Sequence, residues 1–245
     1  MRPANARNYS LSLLVFLTLG CSNAPPTAPV VKDLHNAAAG FPDQISTLLK
    51  SGIPIDKLNS QGNTPLWIGV MSSNKDSVKL LLEAGADTEI RGQRGWTPLH
   101  LCAFINRDRD AIAIANLLLQ NGANPNAIAP EYGKTALHYA VELQSRTFVE
   151  LLIGAGAEVD QLSSNGSTPL QIAVSRGKAE MVDILLGSGA NPDLRNDFGF
   201  RPIDQLNSCP NPAEIQVVFR KYGADDQMRH ELFAKWREES ESKHQ

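Results

Sequence analysis

The chain has 245 residues, 42% of them hydrophobic and 20% charged, with a net charge of −3. That is ordinary globular composition, enough for one substantial core. There is no basic surplus of the kind that nucleic acid or an anionic membrane surface selects.

Residues 1–20 read as a segment apart from the fold. Arg2 and Arg7 give a positive start. Leu11, Leu13, Leu14, Val15, Phe16, Leu17 and Leu19 then form an apolar run, too short to span a bilayer comfortably and suited to a secretory signal. The run ends Thr18-Leu19-Gly20-Cys21. A small residue followed by cysteine resembles the cleavage motif of bacterial lipoproteins, although Thr18 stands where that motif prefers an aliphatic residue. The resemblance implies a diacylglycerol on the Cys21 sulfur. Ser22, in place of aspartate, resembles the signal for outer-membrane sorting. The expected location is the periplasmic side of the outer membrane, held there by the lipid, with a soluble periplasmic protein as the alternative. Residues 21–30 contain Pro25, Pro26 and Pro29 and read as an extended tether.

A repeated stretch follows: Gly62-Asn63-Thr64-Pro65-Leu66-Trp67, Gly95-Trp96-Thr97-Pro98-Leu99-His100, Gly133-Lys134-Thr135-Ala136-Leu137-His138 and Gly166-Ser167-Thr168-Pro169-Leu170-Gln171. A worn copy is Gly199-Phe200-Arg201-Pro202-Ile203-Asp204, and the five copies recur in steps of 33, 38, 33 and 33. Gly52, Gly85, Gly122, Gly156, Gly189 and Gly223 run in phase, in steps of 33, 37, 34, 33 and 34. A fixed period of this size means a stacked array. Threonine suits a helix N-cap, proline the first helical position, and the in-phase glycine a left-handed C-terminal cap. These residues resemble the ankyrin repeat family, whose unit is two helices and a β-turn. The resemblance covers residues 31–224. It implies an all-α repeat solenoid of about six repeats, at 31–61, 62–94, 95–132, 133–165, 166–198 and 199–224.

The first copy, with Lys32-Asp33 in place of Thr-Pro, reads as the wettable N-terminal cap. Trp67 in the second reads as packing. The third is long: Thr97 to Gly122 spans 25 residues against 21 elsewhere, which places four extra residues in the inter-helix turn at 105–110. One more lies in the following finger, around Ala129-Pro130-Glu131-Tyr132. Cys102 takes a position where the family has alanine and reads as core filler; Cys209 lies three repeats away, too far for a bridge. Residues 225–245 place Met228, Leu232, Phe233 and Trp236 near helical spacing. They read as a helix folded over the last repeat or as a docking helix for a partner.

No catalytic constellation stands out. There is no His-x-x-x-His, Cys-x-x-Cys, Gly-x-Ser-x-Gly or phosphate-cradling glycine loop. His100 and His138 belong to the repeated stretch and read as hydrogen-bonding the turns. No enzymatic activity, cofactor, metal or small-molecule substrate is expected, and no nucleic acid. What remains is a surface. In the ankyrin family, positions −4, −3, −1, +7 and +8 from each threonine face one concave strip. Here that strip is aromatic and charged at its middle: Arg94, Trp96, Phe104 and Ile105, then Glu131, Tyr132, Lys134, Glu142 and Leu143. Aromatic residues with arginine at the centre of a polar surround are the anatomy of an interface hot spot. The resemblance therefore implies a non-enzymatic envelope module that binds a partner protein on this strip, as an inhibitor, immunity protein or protective helper. The alternative is a structural envelope scaffold that docks partners through its C-terminal helix.

Overall fold

The computed structural model describes residues 32–105 and 109–226. The expected signal segment, Cys21, the tether, most of the inserted turn and nearly all of the C-terminal tail lie outside the described residues. Within the described residues the chain forms helical pairs: α1 (Leu34–Gly40) with α2 (Pro42–Lys50), α3 (Pro65–Met71) with α4 (Lys75–Glu83), α5 (Pro98–Ile105) with α6 (Arg109–Gln120), α7 (Ala136–Glu142) with α8 (Arg146–Gly154), and α9 (Pro169–Ser175) with α10 (Ala179–Gly187). The sixth pair is a 3-10 helix (Pro202–Ser208) with α11 (Pro212–Lys221). The first helices lie against one another in chain order, from α1 through α3, α5, α7 and α9 to the 3-10 helix. The second helices do likewise from α2 through α4 and α6 to α8, and again from α10 to α11. This is the stacked helical solenoid that the period implies.

Local chemistry sets the ends of each helix. The Thr64 hydroxyl accepts the Trp67 N–H at 3.1 Å, and the Thr168 hydroxyl accepts the Gln171 N–H at 3.2 Å. Proline follows at the first helical position, where no N–H is missed. In the first repeat Asp33 takes over the capping, with its carboxylate 3.1 Å from the His35 N–H. The second helices close on glycine. Gly85, at φ 88°, donates to Leu82 O at 2.9 Å, and Ala86 donates to Leu81 O at 3.0 Å. That is the paired C-terminal cap that needs a left-handed residue, and it recurs at each in-phase glycine from Gly85 onward.

The core is a column of small and branched residues. Ala37, Gly69, Cys102, Ala140 and Ala173 occupy equivalent positions and are all buried. A Cβ on Gly69 would come within 3.2 Å of Val78 Cγ2, so the two helices of that repeat, α3 and α4, approach closely there. Cys102 and Cys209 are buried thiols. The fingers are tied across repeats by side chains that accept the next repeat's backbone: Asp56 from Asp87 N at 3.2 Å, Glu89 from Asn124 N at 2.9 Å, Asn126 from Glu158 N at 2.7 Å and Asp160 from Asn191 N at 3.0 Å. Gly166, at φ 69°, sits where a Cβ would lie 2.7 Å from the Asp197 backbone nitrogen. Gly166→Ala is expected to cost about 1–3 kcal/mol, from backbone strain and this close approach. A urea unfolding curve checks it, and an unchanged midpoint would refute the account.

The long third repeat differs from the expectation. Helices α5 and α6 have 8 and 12 residues, against 7 and 9 in the repeats on either side. The four extra residues therefore lengthen the helices. Three residues, 106–108, separate α5 from α6, as many as separate α3 from α4 and α7 from α8. Ile114, Ala115 and Leu118 continue the buried face of α6 without a break. Extending a helix satisfies each added backbone group internally, whereas a longer loop would not. The single extra residue of the next finger does lie in the turn. Ala129 pairs with Lys134, with Ala129 N to Lys134 O at 2.8 Å, whereas the other fingers close one residue sooner, as in Ser163 N to Ser167 O at 3.0 Å.

Candidate partner-binding face

In repeats three to five the residue three places after the threonine, His or Gln, decides how the strip is held. His138 Nε2 lies 3.2 Å from the Ser167 carbonyl, an acceptor only, so this nitrogen carries the proton. Its Nδ1 accepts from the Thr135 N–H at 3.1 Å and lies 2.9 Å from the Thr135 hydroxyl. His100 repeats the arrangement, with Nε2 3.2 Å from the Lys134 carbonyl and Nδ1 2.8 Å from the Thr97 hydroxyl. Gln171 does the same with an amide: Oε1 accepts the Thr168 N–H at 2.9 Å and Nε2 donates to the Phe200 carbonyl at 2.7 Å. Each of these side chains ties its own helix start to the finger of the next repeat. Burial lowers both histidines to a pKa of about 4. They are neutral structural bridges.

The residues expected on the strip divide by exposure. Phe104 and Leu143 are each 44% exposed and Tyr132 is 54% exposed. Arg94 and Glu131 are exposed, and Ile105 is half-buried. Trp96 is corrected: it is only 4% exposed and cannot meet a partner directly. Its ring lies 5.0 Å from Phe104, edge on at 62°, and 5.0 Å from Tyr139 of α7, with the Arg94 guanidinium 5.3 Å above it. Trp96 is the floor on which Phe104 and Arg94 stand. Trp67 is likewise buried, at 4%.

Lys134 and Glu142 form the charged centre. Lys134 Nζ is 2.7 Å from Glu142 Oε2, and Arg176 of the next repeat pairs with Oε1. Burial by itself would raise the Glu142 carboxyl, but the Lys134 hydrogen bond and the charges of Lys134 and Arg176 outweigh it and hold the group below the usual carboxylate range. Lys134 Nζ also lies 5.7 Å from the Tyr132 ring centre and 5.5 Å from that of Tyr139.

Counting from each threonine misses two exposed aromatics: Phe198, 71% exposed, and Phe200, 52% exposed. The worn sixth copy has Arg201 in place of threonine, so the count stops one repeat early. Counted from Arg201, they fall at −3 and −1, the places of Tyr132 and Lys134. One groove is lined by Lys134, Glu142, Asn165, Arg176 and Phe198 together, so these register positions of repeats four, five and six share a surface.

A stack of helical pairs of this kind defines a class, the helical repeat proteins. A family model of ankyrin repeats in three copies matches residues 34–129 and 109–196, and the chain belongs to the ankyrin repeat family. Ankyrin repeats mediate protein–protein contacts and typically carry no catalysis. The chain is 36% identical over 111 residues to human NF-kappa-B inhibitor alpha, a match covering 42% of this chain and 34% of that protein. It is 31% identical over 129 residues to the Neurogenic locus Notch protein of Drosophila melanogaster, covering 52% of this chain and 5% of that one. The chain thus spans about a third or less of these curated relatives. A solved ankyrin repeat domain from Acinetobacter baumannii superposes with a TM-score of 0.71 at 28% identity, over 78% of this chain and 97% of that one.

Proposed function

We propose that the chain holds a partner protein on the face made by repeats three to six, through Arg94, Phe104, Ile105, Tyr132, Leu143, Phe198 and Phe200. The observation that carries this reading is the row of large apolar side chains left exposed in repeating register: Phe104, Tyr132, Leu143, Phe198 and Phe200, each at least 44% exposed. Scattered apolar residues on a surface need no explanation, but large apolar side chains exposed at matching register positions of repeats three, four and six, with charged groups between them, mark an interaction site. Trp96, Lys134 and Glu142 stiffen the face from below, so little ordering entropy is lost on docking. The setting we propose is the bacterial envelope, with Cys21 lipidated and the array facing the periplasm. The charged start, short apolar run and cysteine of the N-terminus support it. The role is that of an inhibitor, immunity protein or protective helper; a relative whose name declares it an inhibitor supports the first.

The test is affinity capture from envelope extract, comparing the wild type with Phe104→Ala/Tyr132→Ala and with a chain ending at Asp226. Truncating aromatic hot-spot residues is expected to cost about 2 kcal/mol or more each, so the double variant loses capture. Capture that survives the double variant and fails only on truncation would instead favour a scaffold docking through the C-terminal tail.

A further inference from the structure

The groove between repeats four and six has a volume of ≈ 290 Å³ and an unusual balance of hydrogen-bonding groups. Its one lining carboxylate, Glu142, is engaged on both oxygens, by Lys134 Nζ at 2.7 Å and by Arg176 Nη2. Two cations against one anion leave a net positive charge. The two asparagines on the walls add donors in a defined direction. Asn196 Oδ1 accepts the N–H groups of Phe198 and Phe200, both at 3.1 Å. Asn165 Oδ1 accepts the Ser163 hydroxyl at 2.7 Å and the Ser167 N–H at 3.3 Å. Backbone N–H groups can only donate, so each amide oxygen is held against its own turn and each amide NH2 is turned away from it. The Arg176 side chain is 55% exposed and uses one of its five N–H groups on Glu142, so an edge remains for a planar acceptor. Phe198, the most exposed aromatic of the face, stands beside these donors.

We propose that this groove receives a carboxylate side chain of the bound protein, an aspartate or glutamate whose apolar neighbour packs on Phe198. The inference rests on the reading that this face binds a protein, and it names the chemistry presented there. A surplus of fixed donors and one net positive charge complement an anion, and guanidinium matches a carboxylate through two parallel hydrogen bonds. An uncharged amide in the same place keeps one acceptor oxygen but sets its NH2 against these donors and brings no charge.

The experiment is a titration of the ¹⁵N-labelled full chain, followed by NMR, with N-acetyl-Phe-Glu-amide, N-acetyl-Phe-Gln-amide and sodium acetate as probes. The expected result is that the glutamate peptide moves the Asn165 and Asn196 side-chain NH2 signals and the Arg176 Nε–H signal. It should do so at a concentration at least about fivefold below that needed for the glutamine peptide or for acetate, a modest gain of the size one charge-assisted pair supplies. Arg176→Gln should remove the difference between the two peptides. Phe198→Ala should weaken both by the same factor and leave the preference for glutamate in place. Equal binding of the two peptides, shifts confined to other parts of the chain, or acetate matching the glutamate peptide would each overturn the proposal. Those results leave the Phe104–Tyr132 reading untouched, because that reading is judged by protein capture. Conversely, unchanged capture by Phe104→Ala/Tyr132→Ala overturns the face reading whatever the peptides do.

Discussion

Replacing His100 and His138 by glutamine together is expected to leave unfolding at pH 7.5 close to that of the wild type and to remove much of the chain's sensitivity to acid. Both rings are buried with Nε2 donating to a carbonyl of the next repeat and Nδ1 facing a threonine. Adding a proton puts a charge where burial disfavours it and turns Nδ1 from acceptor to donor. The folded-state pKa of each is about 4, below the roughly 6.5 of an unfolded histidine. The unfolded chain therefore binds more protons between these values. Stability is full above about pH 6.5 and falls as the pH drops toward 4. At pH 5 the loss is about 2 kcal/mol for each histidine by this linkage.

Gln171 already makes the equivalent bridge in repeat five, from the Thr168 N–H to the Phe200 carbonyl. Glutamine can thus keep both bonds and has no proton to gain. Urea midpoints at pH 7.5 and pH 5 measure the effect. Carboxylates titrate in both proteins and cancel in the comparison. An equal acid loss in the double variant would show that the histidines do not carry it.

Phe148→Ala and Phe219→Ala are expected to cost about 3–5 kcal/mol each at the repeat concerned, but with different consequences for the whole chain. Both rings are fully buried, Phe148 in α8 and Phe219 in α11. In a stack, each repeat is stabilised by its neighbours alone. Loss at repeat four weakens the coupling on both sides, so the urea transition of Phe148→Ala should move as a whole or split in two. Loss at repeat six has one neighbour to affect. Phe219→Ala should open α11 and the 3-10 helix while α3 to α8 keep their protection. Amide hydrogen exchange resolved by segment distinguishes these outcomes. Uniform loss of protection along all the helices in Phe219→Ala would contradict a nearest-neighbour array.

Much of this architecture is legible before any coordinates. Threonine, proline and glycine act on backbone groups one to five residues away, so their spacing reports helix starts and stops directly. Thr64 and Thr168 cap as expected, and Gly85 closes α4. The small column at Ala37, Gly69, Cys102, Ala140 and Ala173 is legible for the same reason, since a fixed period places equivalent residues in equivalent layers. Where the repeat wears out, the signal weakens. Capping moves to Asp33 in the first repeat, and Phe198 and Phe200 drop out of the count because Arg201 replaces the threonine from which it starts.

The repeating unit, its helices and their caps were thus written into the chain, because they depend on contacts within a few residues. Stacking alone settles which side chains of the strip are reachable and which groups line the groove. Trp96 is covered by Tyr139 from the following repeat, and an exposed position in one layer becomes core when a ring from the next lies over it. The four extra residues of repeat three go into helix, where their backbone groups pair internally. The donors of Asn165, Arg176 and Asn196 come from separate turns and helices of the array and meet only when the layers stack.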